Sequence, residues 1–103
     1  MTDPMRIRAT LKDDIVDVKI LIGHEMETGL RQDASGALIP AHYISKVTAS
    51  YRGKAVLVGE WGPAVSKNPF LAFRFKGGDR GEKVTITWVD NLGDTRTDEG
   101  VIT

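Results

Sequence analysis

Residues 15–22 read Ile15-Val16-Asp17-Val18-Lys19-Ile20-Leu21-Ile22, and this octet decides the fold. In an extended chain Val16, Val18, Ile20 and Ile22 share one face while Asp17 and Lys19 point the other way, the period of two expected of a half-buried β-strand. Working outward, Met5–Leu11 alternates in the same manner, with Ile7, Ala9 and Leu11 opposed to Arg6, Arg8 and Thr10. Lys12, Asp13 and Asp14 between the two runs predict a first hairpin. A third strand is expected over His42–Tyr51, with Tyr43, Val47, Ala49 and Tyr51 on one side, and Arg52-Gly53 turns it into a partner strand, Lys54–Trp61. Phe70–Lys76 sets Leu71, Phe73 and Phe75 against Arg74 and Lys76. Gly77–Gly81 reads as a hairpin turn into Lys83–Val89, where Val84, Ile86 and Trp88 face together. Asn91–Asp94 then turns the chain into a last strand near Thr95–Ile102.

About seven short antiparallel strands, mostly with short links and with no helix signal, predict an all-β, immunoglobulin-like β-sandwich. The whole chain, 1–103, reads as a single domain of ordinary size. The 14 basic and 14 acidic side chains cancel, and residues 1–51 carry 6 and 7 while residues 52–103 carry 8 and 7. A nucleic-acid binder needs a surplus of Lys and Arg, so none is expected as partner. No stretch has the length and apolarity of a membrane span. The absence of cysteine excludes a disulfide framework, thiolate metal sites and a cysteine nucleophile. The N-terminal residues show no leader pattern, which on its own points to the cytoplasm.

Candidate chemistry is thin. His24 and His42 are the only imidazoles; with Glu25 and Glu27 they could form a metal site if the Gly23–Ala41 loop folds back on the third strand. Their spacing is not HExxH and no third imidazole exists, so they read as ordinary surface or capping histidines. Glu25 and Glu27 would share a face, as acid–base carboxylates do, but the same pattern is commonplace on a solvated strand. No serine sits in a nucleophile motif, and Gly77–Gly81 lacks the ending of a phosphate loop. Asp90, Asn91 and Asp94 could offer oxygens to calcium, yet turn chemistry explains them better. Tyr51, Trp61, Phe70 and Trp88 could make an aromatic patch. Trp88 is in phase with the core, whereas Phe70 is out of phase with its strand and is expected to face outward beside the proline-bounded loop Gly62–Pro69. No catalytic residue, metal or cofactor is expected, and the chain reads as a binding protein rather than an enzyme.

Four segments go further: His24-Glu25-Met26-Glu27-Thr28-Gly29-Leu30-Arg31, Ile39-Pro40-Ala41-His42-Tyr43-Ile44, Glu60-Trp61-Gly62-Pro63-Ala64-Val65-Ser66-Lys67-Asn68-Pro69-Phe70 and Phe75-Lys76-Gly77-Gly78. Together they resemble the SoxZ family, the smaller subunits of the SoxYZ sulfur carrier of thiosulfate oxidation, from about Arg6 to Ile102. The resemblance implies a non-catalytic subunit that forms a heterodimer with SoxY, whose C-terminal cysteine carries the sulfur intermediates. It implies transient contacts with other Sox enzymes and a periplasmic location reached by export together with SoxY. The chain's last residues, Glu99–Thr103, offer no thiol-bearing arm. Partner contact is expected through an outer sheet face or an edge strand and through the loop segments Gly62–Pro69 and Gly23–Leu30, with Trp61, Pro63, Val65, Asn68, Phe70 and Met26 as candidate partner-binding residues. Two other readings stand beside this one: a small metal-dependent or acid–base enzyme using His24, His42 and Glu25, and a stand-alone ligand-binding sandwich that forms a homodimer. The isolated subunit could also self-associate.

Overall fold

In a computed structural model, which describes residues 3–103, the alternating segments form seven strands. They are β1 (Arg6–Lys12), β2 (Ile15–Leu21), β3 (Ile44–Tyr51), β4 (Lys54–Glu60), β5 (Phe70–Lys76), β6 (Lys83–Asp90) and β7 (Thr95–Val101). β1-β2-β5 make one antiparallel sheet and β4-β3-β6-β7 the other. This three-on-four arrangement is an immunoglobulin-like sandwich. The core lies between the sheets, where Val16, Val18 and Ile20 meet Val47, Ala49, Val84, Ile86 and Trp88, all essentially without exposure.

The tight turns follow from local chemistry. Arg52 (φ 52) and Gly53 (φ 77) both adopt the left-handed conformation that a two-residue hairpin demands. Arg52 is held there by ion pairs to Asp79 and Glu82 and by its stacking over Tyr51, 5.1 Å from the ring centre. Tyr51 Oη in turn accepts the Asp79 backbone N–H at 3.0 Å.

Two expectations are corrected. The segment Gly77–Gly81 is no hairpin turn, because β5 pairs with β2 while β6 pairs with β3 and β7; the chain crosses between sheets there. Gly78 sits where an added Cβ would run into Val16, so the crossover hugs the core. In the third strand a register shift between Ile44 and Lys46 breaks the alternation. Ile44, not Tyr43, therefore joins Val47, Ala49 and Tyr51 in the core, and Tyr43 is half-buried.

The sandwich is sealed on one side only. Ile102 bridges Ala9 in parallel, Leu11 N–H donates to Thr103 O and Thr103 N–H donates to Ala9 O, both at 2.9 Å. The last residues thus cover the β1 edge. β5 and β4, at the far margins of their sheets, have a strand neighbour on one side only. At the seam the backbones come close enough that a Cβ on Gly100 would collide with the Ile7 side chain. Gly100 itself lacks the left-handed φ, so the constraint there is space rather than conformation. Gly100→Ala is expected to destabilise the fold by about 1–3 kcal/mol through overpacking, read as a lower urea midpoint at unchanged m-value, while Gly62→Ala, where an added Cβ meets open space and φ is not left-handed, leaves the midpoint close to that of the wild type.

Candidate functional site

Both long loops, β2–β3 and β4–β5, lie at one end of the sandwich together with the short β6–β7 turn. Opposite them lie the β1–β2 and β3–β4 turns and the β5–β6 crossover. What organises the loop end is the carboxylate of Asp90, the last residue of β6, 3% exposed. Asp90 Oδ1 accepts backbone N–H groups from Leu92 (3.0 Å) and Asp94 (2.9 Å), fixing the turn. Asp90 Oδ2 is met by Nε2 of His24 at 3.1 Å and Nε2 of His42 at 2.7 Å. Burial pushes this carboxyl upward, but the two imidazoles and two backbone donors outweigh burial and hold it below its ordinary value.

His24 is buried rather than at the surface, because it faces this carboxylate and packs edge-on against Trp88 (centroids 5.1 Å, 89°) and against His42 (4.6 Å, 66°). Its backbone and ring also bind both long loops together. His24 N–H donates to Asn68 Oδ1 (3.1 Å), and Asn68 N–H donates to His24 O (3.0 Å). Met26 N–H donates to His24 Nδ1 at 3.0 Å. Met26 and Asn68 both have φ 50, and Met26 is the costlier of the two to hold in the left-handed region. Its buried side chain and its hydrogen bond to His24 keep it there; its sulfur accepts the Ile44 N–H at 3.4 Å.

The donor atoms of His24, His42 and Asp90 lie within 4.8 Å of one another, so a metal reading needs a chemical test. An imidazole that ligates a metal through Nε2 carries its proton on Nδ1 and donates it onward. His24 has the reverse arrangement: Nδ1 receives the Met26 N–H, so its lone pair is there and the proton is on Nε2, directed at Asp90. The trio is built as a hydrogen-bonded clasp, not as a ligand set. Nor do the nearby glutamates form an acid–base pair. Glu27 is taken by Arg31 (2.6 Å), whose hydrogen bond holds its carboxyl below the ordinary range, and Glu25 pairs with Lys67 at 3.4 Å. A general acid needs the opposite shift.

A cavity of about 220 Å³ opens beside the clasp, lined by Asp3, Glu25, Asn68, Trp88 and Asp94 as well as the clasp residues. The buried Trp88 Nε1 has no hydrogen-bond partner among the described residues.

The candidate partner residues are dispersed. Phe70 is 60% exposed, and Pro63 and Asn68 are exposed too, although Asn68 uses its side-chain oxygen on His24. Trp61 and Val65 are half-buried and lean on the core, with Trp61 N–H donating to Ser45 O at 2.9 Å. Met26 is 5% exposed and packs inside, so it offers a partner no surface. Tyr51 and Trp88 are buried as well, and no aromatic patch forms. The meeting of His24 with His42 is weighed from the sequence and is found here, but Asp90 as their common partner escaped it. Its signal was an aspartate that ends a core strand in phase with Val84, Ile86 and Trp88, where an apolar residue would be ordinary.

Asp90→Asn would replace one carboxylate oxygen by an N–H₂ donor, which then faces either the two imidazoles or the two backbone N–H groups, at an expected cost of about 1–3 kcal/mol. Since the folded carboxyl titrates below its ordinary value of 3.8, the stability Asp90 contributes is fully present above about pH 4 and is lost as the pH falls through the folded value. The stability gap between wild type and D90N, followed by urea unfolding against pH, is therefore expected to close on the acid side.

Comparison with curated proteins gives no match. The family described as Sulphur oxidation protein SoxZ matches residues 5–101, nearly the whole chain. The chain belongs to the SoxZ family and has a role in sulfur oxidation.

Proposed function

We propose that this protein is the non-catalytic half of a SoxYZ-type carrier: it binds a SoxY subunit and helps present the sulfur intermediates bound to that subunit's cysteine. The observation that carries this reading is the combination of SoxZ family membership with a chain that contains no cysteine. Sulfur carried as a persulfide or S-sulfonate needs a thiol, and this chain supplies none, so the reactive group belongs on a companion. The same lack has a protective side. A sulfur-loaded cysteine is open to attack by a neighbouring thiolate through a mixed disulfide. A permanent partner without thiols cannot discharge it by exchange.

The scaffold supports a docking role. Loop ends held by the Asp90 clasp lose little freedom when a partner seats, and Pro63 and Pro69 stiffen the β4–β5 loop further. Phe70 and Pro63, which are exposed, and Trp61 and Val65, which are half-buried, are the residues we assign to recognition. The assembly would work in the periplasm, reached by export together with SoxY, and would meet the other Sox enzymes transiently.

Coexpression with a SoxY-family chain is expected to yield a one-to-one complex by light scattering after gel filtration. Incubation with thiosulfate and the activating enzymes is expected to add mass to the SoxY chain alone. Separate elution of the two chains, or sulfur held covalently by the purified SoxZ-family chain, would overturn the proposal. Trp61→Ala or Phe70→Ala is expected to weaken the complex by about 1 kcal/mol or more; unchanged elution of both variants would remove the β4–β5 loop from the interface.

A further inference from the structure

The antiparallel register places Arg6, Arg8, Thr10 and Lys12 of β1, Ile15, Asp17, Lys19 and Leu21 of β2, and Phe70, Ala72, Arg74 and Lys76 of β5 on one face. The complementary residues of the same strands point into the core. The outer face of the three-stranded sheet therefore carries Arg6, Arg8, Lys12, Lys19, Arg74 and Lys76 against Asp17 alone. In a protein whose formal net charge is zero, this is a strong segregation. All six cations are exposed and none forms an ion pair with a described residue.

The outer face of the other sheet is the contrast. It presents Thr48, Val58, Thr85, Thr87, Val89 and Thr97, with Lys46 and Lys83 balanced by Glu60 and Glu99.

The basic face also breaks a local rule. Arg8 and Lys19 are direct cross-strand partners, and like charges so placed repel. A strand pair that keeps such a mismatch, with Asp17 the one carboxylate on the face and no ion pair formed to it among the described residues, marks a surface maintained for something other than stability. Beside this pair, Arg6, Arg8, Lys19, Leu21 and Phe70 line a hollow of about 330 Å³.

We propose that this face is the docking surface for an acidic protein partner that binds transiently. Charge complementarity sets the sign: cations this close act jointly, because the screening length is about 8–10 Å at physiological salt. The apolar residues argue for a protein rather than a polyanion. Leu21 stands at the loop end and Ile15 at the other end, which suits a partner with apolar residues at fixed places among its carboxylates. Such residues add nothing against a phosphate backbone. Size argues for a brief encounter. Strands of 7 residues at about 3.4 Å per residue and about 4.8 Å between strands give a face of roughly 24 by 15 Å. That is well below the about 800 Å² per partner of a lasting interface. Steered, salt-sensitive association is what such a surface provides. The inference stands on the charge layout and does not depend on the identity of the permanent partner.

The test uses the full chain and a fluorescent poly-L-glutamate probe, read by anisotropy at low and high salt. A duplex oligonucleotide and phosphatidylglycerol vesicles serve as competing probes. The triple variant Arg8→Glu, Lys19→Glu, Arg74→Glu is expected to bind poly-L-glutamate at least about tenfold more weakly. The control Lys46→Glu, Lys54→Glu, Lys83→Glu, with the same change in net charge, is expected to stay within about twofold. Lys19→Glu alone converts the repelling pair into an attracting one, so it is expected to raise Tm by roughly 1–6 °C while weakening the probe. That opposite movement separates a binding role from a folding defect, and Gln at the same three positions replaces the triple variant should it not fold. Equal losses in test and control variants, or unchanged binding in Lys19→Glu, would overturn the proposal. So would preference of this face for the oligonucleotide or the vesicles over poly-L-glutamate.

Discussion

One buried carboxylate governs the loop end of this protein. A charge taken from water is costly unless every acceptor position is answered, and Asp90 is answered by two imidazoles and two backbone amides. Because those donors come from the two ends of the β2–β3 loop and from the β6–β7 turn, satisfying one residue places three segments. The Asn68 exchange with His24 brings in a fourth. The loops are long by sequence but not loose by structure. Even the strained backbone of Met26 is explained by this dependence, since its N–H is what sets the His24 tautomer.

The rest of the molecule divides its surface by chemistry. One flank is closed by the β1–β7 seam, whose tightness is recorded in Gly100 against Ile7. Inward-phase charges on β7, where Arg96 holds Asp98, keep that outer strand from pairing with another chain. The two broad faces differ: one cationic and internally unneutralised, the other rich in threonine and valine with balanced charges at its margins. The role proposed above, with one lasting neighbour and several passing ones, calls for surfaces of more than one kind, and a thin sandwich supplies two on opposite sides.

Much of this was legible in the residues. The alternation in Ile15–Ile22 and its neighbours placed all seven strands, because each has a wet face and a dry one. Trp88 in the core and Phe70 outside followed from phase alone. Alternation failed where geometry departs from it: the irregularity in β3 moved Ile44 inward and Tyr43 aside, and no residue type there announces it. Gly77–Gly81 looked like a hairpin because glycine permits a tight reversal, yet which strand β5 joins is decided by pairings far away in sequence. The carboxylate at the centre of the clasp was invisible for the same reason, as His24 and Asp90 are 66 residues apart. The basic face also hides from linear counting, since its charges come from three separated strands and both halves of the chain total close to zero.

Met5 and Met26 are 7% and 5% exposed, and each is packed among aliphatic side chains. Thioethers are the soft, oxidisable atoms that remain when cysteine is absent, and conversion to the sulfoxide would put a polar group into the core. Their enclosure means that the described exterior presents nitrogen and oxygen functions but scarcely any sulfur. Peroxides or electrophilic sulfur species in the surrounding medium would find little sulfur on that described exterior to react with.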